Sequence, residues 1–172
     1  MTPEAPRPFK PWRLADVVDV EVPAFALRTY LEQAEVRRYL GRAAGERTLA
    51  RAAEVGCGYG RLLPVLSEFA ERVTGFERQP EFAAEAAKLH PTREIVRVES
   101  LARLPSPDRA FDFVLTFTVL QHLTDPVKAL MEMRRVLKPG GVIGVREEDT
   151  GGVLFSPSTP TLDESMELYV RC

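Results

Sequence analysis

The chain has 172 residues, 45% of them hydrophobic and 28% charged, which suits one soluble globular domain and is short for two. A formal net charge of −2 offers no field to nucleic acid or an anionic membrane, no apolar run is long enough to span a bilayer, and no signal-peptide core opens the chain. Two cysteines, Cys57 and Cys172, are too few for a disulfide framework or a zinc site. A cytoplasmic enzyme or binding domain, with no metal, nucleic-acid or membrane partner, fits this profile.

Prolines at positions 3, 6, 8, 11 and 23 mark residues 1–23 as an extended leader. Its small basic excess (Arg7, Lys10, Arg13) reads as a flexible arm. A helix is predicted from Ala24 to Leu40, with Leu27, Leu31 and Ala34 on one face, Pro23 at its entry and Gly41 as its stop. After Gly45 strand, turn and helix alternate. The first strand ends at Val55, although "LARAAEV" is weak by propensity. The helix after Gly60 sets Leu62, Leu66 and Phe69 at i, i+4 and i+7, with Pro64 in its opening turn. A second strand (72–77) leads to a helix opened by Pro80, with Phe82, Ala86 and Leu89 on one side. A third strand (94–98), a Pro-broken connection and the nearly all-apolar "FDFVLTF" (111–117) follow, the last suited to burial on both faces.

The next helix is capped by Asp125, with Pro126 at its first position. Val127, Leu130 and Leu137 point inward, Arg134, Arg135 and Lys138 collect at its negative end, and "PGG" (139–141) stops it. A fifth strand (142–147) precedes a Gly/Ser/Thr/Pro loop and a short helix with Leu162, Met166 and Tyr169 on one face. The alternation predicts an α/β, Rossmann-like, doubly wound and mostly parallel sheet of about five strands. The chain divides into a leader with its helix (1–45), a core (46–148), and a terminal loop and helix (149–172).

Chemistry concentrates in "AAEVGCGYGR" (52–61), the carboxyl end of the first strand, where doubly wound sheets bind ligands. Glycines there permit positive φ and close approach of the backbone to a ligand, but a tight turn holding nothing has the same composition. Glu77 separates the two readings. It ends the second strand 21 residues after Gly56, where nucleotide folds keep the acid that accepts from a ribose diol. The glycines at 56, 58 and 60 form G-x-G-x-G, and a dinucleotide fingerprint counted from Gly56 would need its last glycine where Arg61 stands. Glu54, just before the turn, is ill suited to a pyrophosphate and suits a ligand with positive charge. No P-loop motif occurs.

"EVGCGYG", "GFERQPEF", "FDFVLTFTVLQHL" and "RVLKPGGVIGV" resemble, in order and spacing, the successive motifs of class I S-adenosylmethionine-dependent methyltransferases, over roughly residues 50–147. The resemblance implies S-adenosylmethionine as cofactor and methyl transfer to a small-molecule acceptor. By position, Glu54 and the backbone of Gly56, Cys57, Gly58 and Gly60 hold the methionine portion, and Glu77 holds the ribose diol. Arg78 lies beside the adenine, Ser100 and Leu101 face its edge, and Phe117 lies near the methionine end. Ser100 departs from the Asp common in the family, which removes a charge from the adenine contact.

Cys57, between glycines, reads as a packing residue rather than a nucleophile. His122 is a weak candidate for a general base; the competing reading packs Val119, Leu120 and Leu123 inward and leaves His122 structural or half exposed. Glu147, Glu148 and Asp149 follow the fifth strand, at a place that touches substrate in related enzymes and that also suits plain solvation. His90 shows no role, and Trp12 and Tyr30 either roof the cofactor or pack the core. Family members continue with a further pair of strands beyond the fifth. Without them "VIGV" is an exposed apolar edge, open to self-association or a partner. A fragment of a longer enzyme is the favoured reading, ahead of an edge completed by a partner and of a reduced domain shielded by its last helix. The competing functions are a catalytically silent S-adenosylmethionine-binding or interaction module and an NAD(P)-dependent oxidoreductase, the latter disfavoured by Arg61 and the "LKPGG" block.

Overall fold

The computed structural model describes residues 22–45 and 48–148. The expectations for the leader with Trp12, for the side chains of Leu27, Tyr30 and Leu31, and for Asp149 and the terminal helix lie outside the described residues. In chain order the elements are α1 (Val22–Ala44), β1 (Leu49–Val55), α2 (Leu63–Phe69), β2 (Ala70–Glu77), α3 (Pro80–Leu89), β3 (Glu94–Arg97), β4 (Phe111–Phe117), a 3-10 turn (Leu120–His122), α4 (Pro126–Val136) and β5 (Leu137–Arg146). The strands form one sheet in the order β3-β2-β1-β4-β5, and every neighbouring pair is parallel. Strand order therefore reverses between β1 and β4, which puts the switch point beside the tip of β1. No helix among the described residues is long and apolar enough to cross a membrane.

Ala52 and Ala53 make β1 a poor strand by propensity, yet both are fully buried, between β2 on one side and β4 on the other. Position overrides propensity here, because a central strand covered on both faces accepts small residues where helices pack close. One core cluster joins Val36 and Leu40 of α1 to Leu66 of α2 and to Phe113 and Leu115 of β4. The other, on the opposite face, joins Val55, Phe76 and Val114 to Met133 and Val136 of α4.

Three expectations are corrected. First, α1 runs through Gly41 to Ala44 and ends at Gly45, whose φ is +59° and whose N–H donates to the Gly41 carbonyl at 3.1 Å. A glycine inside a helix costs only about 1 kcal/mol, less than releasing Leu40 and Ala44, which are buried with Val36 in the core. Ala34, expected inward, is exposed.

Second, α4 turns Ala129, Met133 and Val136 to the sheet and packs the half-buried Leu130 against the same core, as expected of Leu130, but leaves Val127 62% exposed. Asp125 caps it as expected, its carboxylate accepting from the Lys128 N–H at 3.1 Å. Leu89 of α3, also expected inward, is exposed.

Third, "PGG" does not stop α4. The helix ends at Val136, and β5 starts at Leu137 and passes through Pro139, Gly140 and Gly141, with a register shift against β4 between Phe111 and Phe113. Gly140 has φ +76°, and a Cβ on Gly141 would lie 2.9 Å from the Asp112 carbonyl oxygen, so the glycines build a bulge within an edge strand. Leu137 is thus a strand residue, and Lys138 pairs with Asp112 at 2.8 Å instead of the helix end. Val142 and Val145 are exposed along this edge.

The corrected face of α4 predicts that Met133→Ala destabilises the domain by about 2–5 kcal/mol while Val127→Ala stays within about 0.5 kcal/mol. Urea unfolding of the two variants beside the parent measures both.

Candidate functional site

The turn from Gly56 to Gly60 leaves the tip of β1 and enters α2. Gly56, Gly58 and Gly60 have φ of +78°, +56° and +84°, so three of five residues occupy the left-handed region that side chains rarely adopt. The turn is tied to β2. Gly56 and Cys57 both donate to the Phe76 carbonyl, at 2.8 and 3.1 Å. The Glu77 carboxylate accepts from the Gly58 N–H at 2.8 Å through Oε2 and from the Gln79 N–H at 2.7 Å through Oε1. Glu77 is only 6% exposed, and each oxygen retains a lone pair for a second donor.

Two glycines mark close approaches. A Cβ on Gly56 would lie 2.6 Å from a Val119 methyl, so the loop after β4 rests on the turn. A Cβ on Gly60 would lie 2.6 Å from the His90 ring. A Cβ on Gly58 meets nothing within 4 Å among the described residues. Sequence reasoning assigned His90 no role, and the sequence gives no cue to it, because its contact crosses from the end of α3 to the turn. Burial lowers its pKa from the ordinary 6.5, Arg93 lowers it further, and hydrogen bonds to the Tyr59 and Gly60 backbone oppose both.

Glu54 stands at the tip of β1, opposite Gly75 on β2 and Leu115 on β4. It is 3% exposed, and its Oε2 has no hydrogen-bond partner among the described residues. Burial, and then the charge of Glu77, hold its carboxyl well above the usual range. Cys57 occupies the space over Gly75, whose Cβ would lie 2.8 Å from its Sγ. Burial first, then Glu54 and Glu77, push the thiol far up, and its buried place over Gly75 is that of a packing side chain.

Phe117 is buried at the tip of β4, with the guanidinium of Arg61 5.2 Å from its ring centroid and that of Arg146 at 4.9 Å. Arg61 forms an ion pair with Glu32 of α1, and its carbonyl accepts from Gln33 Nε2 at 2.8 Å. Arg146 approaches Glu35 at 3.8 Å. Arg61 therefore joins the turn, α1 and β4, a role legible in the sequence only as an obstacle to dinucleotide packing.

The remaining candidates spread outward. Arg78 and Ser100 are exposed beyond the tips of β2 and β3, and Ser100 Oγ accepts from the Ala102 N–H at 3.2 Å. The Leu101 side chain belongs to the core cluster with Val98 and Leu104. Val119, Leu120 and Leu123 are half-buried and His122 is exposed, its Nε2 3.3 Å from Gln121 Nε2. The Glu147 carboxylate accepts from the N–H groups of Val119 and Leu120, both at 3.0 Å, and of Gln121 at 3.4 Å. It holds the β4 loop in place.

A ligand suited to these strand tips carries a vicinal diol for Glu77 and a positive group for the Glu54 oxygen that has no partner among the described residues. S-adenosylmethionine has both features, so the residues present fit it.

The profile of the methyltransferase domain family matches residues 53–145. A probable S-adenosylmethionine-dependent methyltransferase of Mycolicibacterium smegmatis is 36% identical over 63% of this chain and 41% of its own length. Among solved structures, the S-adenosylmethionine-bound amino pentose methyltransferase CalS10 of Micromonospora echinaspora is 26% identical, with a TM-score of 0.61 over 74% of this chain and 56% of that one. The (4+2)-cyclase SpnF is 27% identical, with a TM-score of 0.59 over 78% of this chain and 56% of its own. The chain spans about two fifths of the length of the curated relatives it matches first.

The glycine contacts predict that Gly60→Ala destabilises the domain more than Gly58→Ala. Both incur the left-handed penalty of about 1–2 kcal/mol, and only Gly60→Ala adds a clash with His90 and Leu63. Denaturant midpoints of the pair test this order. The depressed His90 pKa gives a second expectation. Its contribution to stability is complete above 6.5 and declines as pH falls through the lower folded value, because the unfolded chain binds the proton more readily. A His90→Gln variant loses less stability than the parent when titrated from neutral pH into that window.

Proposed function

The chain belongs to the methyltransferase domain family, and from that premise we propose that it binds S-adenosylmethionine over the tips of β1 and β2 and transfers the methyl group to a small-molecule acceptor. The observation that carries this reading is the pair of buried acids, Glu54 and Glu77, set around a three-glycine turn at the switch point of the sheet. Relatives named as transferases favour the enzyme over the silent binding module.

In this reading Glu77 takes the ribose hydroxyls on its remaining lone pairs, while its bonds to Gly58 and Gln79 keep it aimed. Glu54 and the backbone of Gly56, Cys57, Gly58 and Gly60 receive the methionine portion. Arg78, Ser100 and the backbone of Leu101 border the adenine, and Phe117, clamped by two guanidiniums, walls the methionine end. When bound, S-adenosylmethionine supplies a methyl group already activated on a sulfonium. The chain's own task is then alignment and exclusion of water from an in-line displacement. The turn supplies the alignment, and Phe117, Val119 and α1 supply apolar walls. A base is needed only where the acceptor loses a proton during transfer, and His122, exposed on its 3-10 turn, is assigned no such role.

Calorimetric titration tests the reading. S-adenosylhomocysteine is expected to bind and NAD to give no heat of binding. Glu77→Ala removes the charged acceptor of the ribose diol, a net loss of at least one charged hydrogen bond of about 1.5–3 kcal/mol, so binding weakens at least about 10- to 150-fold. Tight NAD binding with no response to S-adenosylhomocysteine sinks the reading as a whole. A Glu77→Ala variant as tight as the parent removes the ribose assignment alone.

A further inference from the structure

Two acids at neighbouring strand tips have unequal surroundings. Glu77 accepts two backbone N–H bonds, one on each oxygen, an arrangement suited to an ionised carboxylate. Glu54 is as deeply buried, lacks an ion-pair partner among the described residues, and leaves Oε2 without a donor. Among the described residues, the groups around it supply no positive charge. Gly75 and Leu115 stand opposite it in the sheet, Cys57 is a neutral thiol, Glu77 repels it, and Arg61 of the turn is already paired with Glu32 of α1. An ionised carboxylate buried this way incurs a large desolvation penalty with nothing to offset it, and a proton removes the penalty.

We infer that in the ligand-free protein Glu54 carries a proton, and that a bound ligand's ammonium group, here the amino-acid end of S-adenosylmethionine, expels it to solvent. The inference rests on the cofactor reading above. In the step, the Glu54 O–H bond breaks, the proton passes to buffer, and the carboxylate left behind accepts from the ligand's N–H. Charge in the crevice is conserved: a neutral acid facing no cation becomes an anion facing one. The raised pKa of Glu54, caused first by burial and then by Glu77, agrees with this geometry.

The sign of the linkage follows. A folded-state pKa above the unfolded 4.5 means that the Glu54 contribution to stability is complete below that value and is lost as pH rises through the folded value. A ligand that drives the proton off gains affinity over that same rise, by up to about tenfold per pH unit.

The test is calorimetry of the full chain with S-adenosylhomocysteine, which keeps the ammonium and lacks the sulfonium, in phosphate and in Tris at one neutral pH. Because the two buffers differ in ionisation enthalpy, a released proton appears as a difference in observed heat. About one proton per bound ligand is expected. The ligand 5′-methylthioadenosine, which lacks the amino acid, should release none, and Glu54→Gln should bind S-adenosylhomocysteine with equal heats in both buffers. Equal heats for the parent protein overturn the inference while leaving the cofactor reading intact. Release by 5′-methylthioadenosine, or undiminished release by Glu54→Gln, overturns it too. Failure of S-adenosylhomocysteine to bind at all overturns both.

Discussion

The Glu77 clasp is the interaction on which the rest of the site depends. By accepting from Gly58 and Gln79, one side chain fixes the turn after β1 against the turn after β2. Three consecutive alternations into left-handed backbone would otherwise be a loose connection, since glycine loses the most conformational freedom on folding. With the turn held, Gly56 can receive Val119, Gly60 can receive His90, and α2 can start from the Gly60 carbonyl, which accepts from Leu63 at 3.1 Å. Glu147 does similar work from the far end of the sheet, gathering the N–H groups of Val119, Leu120 and Gln121. Two carboxylates thus shape the crevice through backbone donors.

Charge is divided across the strand tips. The β1 and β2 side is acidic, with Glu54 and Glu77 both buried, whereas the β4 side carries Arg61 and Arg146 over Phe117. The arginines face α1, where Glu32 and Glu35 answer them, and Glu54 adds its own negative charge on the β1 side only when a cationic ligand takes its proton. That asymmetry suits a ligand with a neutral sugar and a cationic end. It also bears on Cys57, a small residue in a prominent place: burial, and then the two acids, raise its thiol pKa far above the ordinary value.

Much of this was legible in order along the chain. The bounds of β4 match the apolar run 111–117, Pro80 opens α3, and Asp125 caps α4, because each signal is local and strong. The acid after β2 and the three glycines could be read by spacing. The errors share a cause. Gly41 looked like a helix stop, Val127 like a core residue and "PGG" like a terminator, each judged on its own chemistry while the sheet decided the outcome. The roles of His90 and Arg61 have no local signal, because their partners, Gly60 in one case and Glu32 with Phe117 in the other, come from distant segments.

From its residues alone, then, this chain declared an alternating α/β order, a turn able to enter left-handed backbone, and the acid that meets it. Those properties follow from φ preferences, apolar periodicity and short-range spacing, all of which act within a few residues. Tertiary structure alone determined which face of α4 is inward, where β5 begins, what His90 supports, and that a Glu54 oxygen has no partner among the described residues beside Glu77. Burial and the field of one charge on another depend on what lies across the sheet, and no local pattern encodes that.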